Sequence, residues 1–179
     1  MDTIIIYYSH SGNNNILAEE LNKRIKSDIY KISELRKRYK ISILFDSLFK
    51  RNSKIENTNI EIKKYKKIIL VSPIWDCSIA TPMKSFLERE KNNLEKYFFI
   101  TICNGEIGQK EKIMNELTNI VQRKPEDVTE LWINDLLPKD KQNKIRYTFN
   151  FRINRQDFQK FERKICAFIQ NVNNCGDVI

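Results

Sequence analysis

The sequence predicts an α/β protein whose parallel sheet is covered by helices on both faces. Three observations carry this. Apolar runs rich in β-branched and aromatic residues alternate with segments whose apolar residues recur at helical spacing. The runs at 3–8 ("TIIIYY"), 66–73 ("KKIILVSP") and 97–103 ("YFFITIC") are nearly continuous, the pattern of strands buried on both faces. No internal repeat or low-complexity linker divides the 179 residues, so a single domain over 1–179 with a sizeable core is expected.

In chain order, 3–8 is the first strand. After a polar turn, Leu17, Leu21 and Ile25 set a helical stripe to about residue 26. "DIYKI" (28–32) fits a second short strand, and 34–50 suits a helical or mixed connection with Leu44, Phe45, Leu48 and Phe49 on one side. The third strand at 66–73 leads into "TPMKSFLEREK", a helix with Pro82 in its first turn, where a missing N–H costs nothing. The fourth strand, 97–103, is followed by a glycine-bearing loop and a helix marked by Ile113, Met114, Leu117, Ile120 and Val121. "VTELWINDLL" (128–137) fits a fifth strand. Phe158, Phe161, Ile165, Phe168, Ile169 and Val172 mark a closing helix. Between them, "KIRYTFNFRIN" (144–154) alternates Ile145, Tyr147, Phe149, Phe151 and Ile153 with polar residues. That period of two predicts a half-buried extra edge strand, alone or in a hairpin with 128–137, or an edge that pairs with a second copy in a homodimer.

Composition narrows the function classes. Apolar residues make up 41% and charged residues 31%, and no apolar run is long enough for a membrane span. The start runs directly from Met1-Asp2 into a strand without a basic leader, so a cytoplasmic protein is expected. Cys77, Cys103, Cys166 and Cys175 form no CxxC pair and are accompanied by one histidine, which argues against zinc and for free thiols. The net charge of +9 suits an anionic partner, but the lysines are spread along the chain and mixed with glutamates, and only "LRKRYK" (35–40) is dense. That dispersal argues against nucleic acid.

Open parallel sheets bind ligands at the C-terminal ends of their strands, beside the point where strand order reverses. Loops 9–14, 72–82 and 103–108 occupy that position and hold three of the four glycines: Gly12, Gly105 and Gly108. In "SHSGNN", Ser9 and Ser11 supply hydroxyls, Gly12 permits the turn, and the N–H groups near Asn13, Asn14 and Asn15 face an anion from a helix N-terminus. Without lysine this is not a Walker-type loop, nor is it GxGxxG; an ordinary Ser/Asn helix cap would explain one such residue but not the cluster. Trp75, in "SPIWDCSIATP", stands at a strand end, where it either stacks on a planar heterocycle or packs in the core. "CNGEIGQK" offers backbone N–H groups and the Asn104 amide to a polar ring edge. A phosphate cradle, an aromatic wall and a polar rim together suit a flat ring on a phosphorylated tail, such as a flavin mononucleotide.

These residues resemble the flavodoxin-like proteins, particularly the small flavodoxin-family domains of bacteria. That family's phosphate loop, Ser/Thr-x-Ser/Thr-Gly-Asn-Thr after the first strand, is similar to Ser9-His10-Ser11-Gly12-Asn13-Asn14. "YKKIILVSPIWDCSIATPMKSFLE" looks like its third strand, flavin loop and next helix, and "FFITICNGEIG" like its fourth strand and second flavin loop. The resemblance extends to about residue 137. It implies a three-layer fold, a five-stranded parallel sheet in the order 2-1-3-4-5, and FMN at the switch between the first and third strands. It further implies that Ser9, Ser11, Gly12, Asn13 and Asn14 hold the FMN phosphate. Pro73, Trp75, Asp76, Cys77 and Ser78 would border the isoalloxazine, with Asn104, Gly105 and Gly108 on its opposite side. Two positions depart from the pattern. Asn14 replaces a threonine, exchanging a hydroxyl for an amide that still donates. Cys77 stands where relatives often have glycine, whose peptide flips at low cost to meet a reduced flavin.

The function implied is electron transfer or a small flavin-dependent oxidoreductase, in which the flavin carries the redox chemistry and no catalytic side chain is needed. The sole histidine, His10, is read as a solvent-facing filler of the loop. Flavodoxins usually present an acidic rim, so the basic balance here favours an enzyme with its own small-molecule substrate, or an acidic redox partner protein. The alternative from another class is a flavodoxin-like binding module that has lost flavin and uses its basic surface for a protein or nucleic acid.

Overall fold

The computed structural model describes residues 1–35, 53–57 and 60–175. From residue 36 on, the connection expected at 34–50 lies outside the described residues. Strands β1 (Thr3–Tyr7), β2 (Asp28–Lys31), β3 (Lys67–Val71), β6 (Tyr97–Cys103) and β7 (Asp127–Trp132) form one parallel sheet in the order β2-β1-β3-β6-β7. Counting only the strands of this sheet, that is the expected 2-1-3-4-5. Strand order reverses at β1, which has β2 on one side and β3 on the other, the switch point at which open parallel sheets leave a crevice above the C-terminal strand ends.

The unbroken apolar runs are explained by two cores, one per face. Ile4 and Ile6 of β1, Ile68 and Leu70 of β3, and Tyr97 and Phe99 of β6 face one side. Helices α2 (Thr81–Glu90) and α3 (Gln109–Val121) cover it with Met83, Phe86, Leu87, Ile113 and Leu117. Ile5, Ile69, Phe98 and Ile100 face the other side, under α1 (Asn13–Ile25) and α5 (Phe158–Asn174). Each such wholly buried side chain contributes about 1.5–3 kcal/mol. Arg24 ties α1 to α5 by meeting Glu20 and Glu162, each at 2.8 Å.

Two departures from the sequence reading matter. First, residues 74–79 form a small antiparallel hairpin, β4 (Ile74–Trp75) and β5 (Ser78–Ile79), that the alternation did not announce. Second, no strand forms at 144–154. Residues Ile145–Thr148 make a single helical turn, α4, and the chain beyond it runs irregularly to Asn154. The expected edge strand, and with it the strand-edge route to a homodimer, is therefore replaced. The reason is tertiary: the Asn13 amide donates to the Phe151 carbonyl at 3.0 Å and accepts from the Ile153 N–H at 3.1 Å. Those backbone groups would otherwise pair with a strand, and they hold Phe151 and Ile153 over the α1–α5 core instead. The fifth strand likewise stops at Trp132, and Ile133–Leu136 turns as a 3-10 segment.

Among the described residues no helix is long and apolar enough to cross a membrane. All four cysteines are free.

Candidate functional site

The three predicted loops do converge above the C-terminal strand ends, and specific contacts join each pair. The first loop leaves β1 at Tyr8, whose N–H still reaches the Val71 carbonyl at 2.9 Å. Gly12 precedes α1 with φ +96°, a left-handed conformation that a side chain would strain. Its N–H donates to Ser9 Oγ at 3.1 Å, which curls the loop, and its carbonyl accepts from the N–H groups of Asn15 and Ile16. The N–H groups of Asn13 and Asn14 open the helix, where no earlier carbonyl of the helix can accept them. No acidic residue lies in the first turn. The positive end of the α1 dipole is thus uncompensated at the loop where an anion was expected.

The asparagine side chains have a different use. Asn14 is 2% exposed; its Nδ2 donates to the Ile102 carbonyl at 3.2 Å and its Oδ1 accepts from the Ile102 N–H at 2.9 Å. Acting as a backbone mimic, it locks the start of α1 to the end of β6 and so fixes the first loop relative to the third. Asn13 does the same to residues 151–153. What these two residues offer outward is main chain, not amide. Asn15 is on the surface, bonded to Glu19 at 2.8 Å.

In the second loop, the β4–β5 hairpin turns through Asp76 (φ +50°) and Cys77 (φ +57°). Two consecutive left-handed residues make the tight primed turn that Asp-Gly usually supplies, and here the second residue carries a side chain. Cys77→Gly should relieve that conformation, and after the entropy that glycine adds to the unfolded chain it should leave a net gain of about 0.5 kcal/mol. Thermal unfolding would register it as a rise of about 1–2 °C.

The Cys77 Sγ lies 3.0 Å from Glu106 Oε2, which joins the second and third loops. The carboxylate that accepts from it pushes the thiol's pKa above its ordinary range, which favours the neutral thiol over the thiolate. Ser78 faces α3: its hydroxyl donates to Glu116 Oε1 at 2.7 Å, the Ile79 N–H donates to Glu116 Oε2 at 2.8 Å, and Lys84 closes the cluster at 2.5 Å. Ser78 anchors the hairpin. Trp75 is half-buried, and its ring meets Tyr8 edge to face at 5.9 Å and His10 at 6.1 Å. The indole therefore joins the second loop to the first. His10 is exposed but belongs to this aromatic wall, as does Tyr8; a count of hydroxyls and glycines in the loop does not reveal either.

The third loop carries exposed Asn104. Gly105 has φ +88°, and a Cβ there would sit 2.4 Å from Trp132 Cγ, so the indole at the end of β7 lies directly against this glycine. Gly108 (φ +77°) opens α3. Beneath the loop, Gln109 Nε2 reaches both Cys103 Sγ (3.2 Å) and Glu130 Oε1. Burial pushes the Cys103 thiol up to about 12, so this cysteine stays a neutral packed thiol. A cavity of about 500 Å³ opens elsewhere, between residues 53–55 and Ser85–Arg89 of α2, and touches none of the three loops.

No sequence-family model and no curated protein matches this chain. Solved structures do. A flavoprotein in complex with FMN from Lactobacillus acidophilus NCFM superposes with a TM-score of 0.64 at 22% identity, over 72% of this chain and 92% of that one. A protein assigned to the flavoproteins, from Bacteroides eggerthii DSM 20697, gives 0.67 at 15% identity over 96% and 98%. A flavodoxin from the domain Archaea gives 0.53 at 15% identity over 97% and 100%. With this strand order, helices on both faces and these likenesses, the chain has the flavodoxin-like fold.

Proposed function

We propose that the chain is an FMN-binding flavoprotein that transfers electrons or reduces a small substrate. The observation that carries this is the start of α1: an acid-free helix N-terminus, behind a left-handed glycine and two serines, at the C-terminal end of β1. The donor set fits a phosphate monoester, and the positive φ of Gly12 fits a close turn around it. In this reading Ser9, Ser11, Gly12 and the main-chain N–H groups of Asn13 and Asn14 hold the phosphate. Trp75 provides an aromatic wall braced by Tyr8 and His10. Pro73, Asp76 and Cys77 border the ring on that side, Ser78 anchors their hairpin, and Asn104, Gly105 and Gly108 border the opposite side. The L. acidophilus complex, with FMN on the same fold, supports the choice of cofactor.

Bound flavin supplies hydride and single-electron chemistry. The protein's own part is to orient and shield it. The Cys77–Glu106 contact holds the two ring-bordering loops together, and Asn14 keeps the phosphate loop in register with the third. Asp76 and Glu106 place negative charge at the hairpin tip and the third loop, which disfavours added negative charge on a ring between them.

The test is direct. Purified protein should carry flavin absorbance or take up one FMN per chain. Ser11→Asp, which sets a carboxylate against the phosphate, should weaken FMN at least about tenfold, the effect of about 1.4 kcal/mol. Absence of uptake would leave a binding module on this fold. Unchanged affinity in the variant would place the phosphate elsewhere.

A further inference from the structure

The segment rejected as a strand has a surface of its own. Lys139, Lys141, Lys144, Arg146, Arg152 and Arg155 are all exposed, and the only carboxylate between residues 139 and 155 is Asp140. This short stretch therefore holds a large part of the chain's net charge of +9. Among the described residues none of the six cations forms an ion pair. Among the described residues, Lys144 Nζ and an Arg152 guanidinium nitrogen donate to backbone carbonyls, those of Asp140 (2.6 Å) and Phe151 (3.1 Å). Asp157 nearby is committed to the capping box at Asn154, whose N–H it accepts at 2.8 Å. Amid these cations, Ile145 is 76% exposed and Phe149, one helical turn on, is 59% exposed. Tyr147 stands between them in sequence, with Arg146 over its ring at 4.6 Å and Lys141 at 5.6 Å, which holds two of the cations in place.

An apolar centre with an aromatic and arginines, ringed by cations that form no ion pair among the described residues, has the make-up of a protein interface whose complement is acidic. A membrane is the poorer match, because interfacial helices bury a long apolar face and α4 is one turn. Duplex nucleic acid is poorer still, because Ile145 and Phe149 would be set against phosphates. The patch is also joined to the candidate phosphate loop. The same stretch that ends it, 151–153, is held by the Asn13 amide at the first turn of α1.

We propose that residues 139–155 are the docking surface for an acidic protein, seated with a small apolar contact on Ile145 and Phe149. This deepens the flavoprotein reading by naming the charge of its redox partner, and it rests on that reading for its purpose but not for its binding.

Calorimetric titration of the full chain with an acidic [2Fe–2S] ferredoxin tests it, with FMN affinity measured in parallel. Saturable binding is expected at low salt, weakening at least about tenfold as ionic strength rises from about 20 to about 200 mM. Lys141→Glu/Arg146→Glu should weaken it at least about tenfold, and Ile145→Ser/Phe149→Ser about fivefold with the salt dependence retained. Both pairs are exposed, so circular dichroism and FMN affinity should match the parent. Docking through the patch by a chain that takes up no FMN would uphold this proposal while removing the flavin reading. Absence of ferredoxin binding, binding indifferent to both double variants, or tighter association with phosphatidylserine vesicles or duplex DNA would overturn it.

Discussion

Replacing Gly105 with alanine should destabilise the protein by about 3 kcal/mol, and with valine by more. Two costs combine. The φ of +88° is unfavourable for any side chain, about 1–2 kcal/mol. The new Cβ would also lie 2.4 Å from Trp132 Cγ and 2.9 Å from Trp132 Cβ. The latter atom is rooted in β7, so the indole cannot simply swing aside, and overpacking of this kind adds about 1–3 kcal/mol. For a chain of this size urea denaturation and a fall in Tm of roughly 10 °C should report the sum. The steric part is separable: in a Trp132→Ala background the same substitution should cost only about 1–2 kcal/mol, the conformational share. Equal cost in both backgrounds would mean that the indole is not what occupies the space. The Trp132 indole N–H is buried and has no acceptor among the described residues. FMN affinity should fall in Gly105→Ala too, since the third loop must shift to make room.

Asn14→Leu should be nearly as damaging, at about 3 kcal/mol. The substitution keeps size and apolar burial but leaves the N–H and C=O of Ile102 without their partner, and an unsatisfied buried backbone group costs about 1–3 kcal/mol. Asn13→Leu should cost less, because its partners lie in the partly buried 151–153 stretch rather than in the sheet. The comparison carries a functional readout. Asn14→Leu unties the phosphate loop from β6, so FMN affinity should drop with stability; in the flavin reading the retained main-chain N–H groups would keep that loss smaller than for Ser11→Asp. A larger loss at Asn14 than at Ser11 would show that the placement of the loop, more than the charge set at position 11, decides FMN affinity.

The layered sheet was legible in the residues because its signal is local and strong. Runs such as Ile4–Ile6, Ile68–Val71 and Phe98–Ile100 have no polar face to offer water, so they must be central strands, and amphipathic helices of three or four turns must cover them. The strand order needed more than periodicity; it came with the resemblance carried by "SHSGNN" and the two later loops. The positions of Gly12, Gly105 and Gly108 in those loops were also readable, and each has the positive φ that glycine permits.

Composition could not settle what polar side chains near the loops face. Asn13 and Asn14 carry the same amide that a phosphate loop can use, yet both bond to backbone, and Ser78 bonds to Glu116. Such choices depend on which polar groups other elements bring nearby: main-chain groups 88 to 140 residues away for the asparagines, and a carboxylate 38 residues away for Ser78. The alternation at 144–154 misled for the same reason. A period of two describes which side chains are apolar, not whether a sheet edge is within reach, and the Asn13 amide claims the backbone first. By itself the sequence determined the layers, the glycine turns and the likeness of the loops. Only the tertiary structure decided which hydrogen bonds close those loops, because a buried polar group takes the partner that folding brings to it.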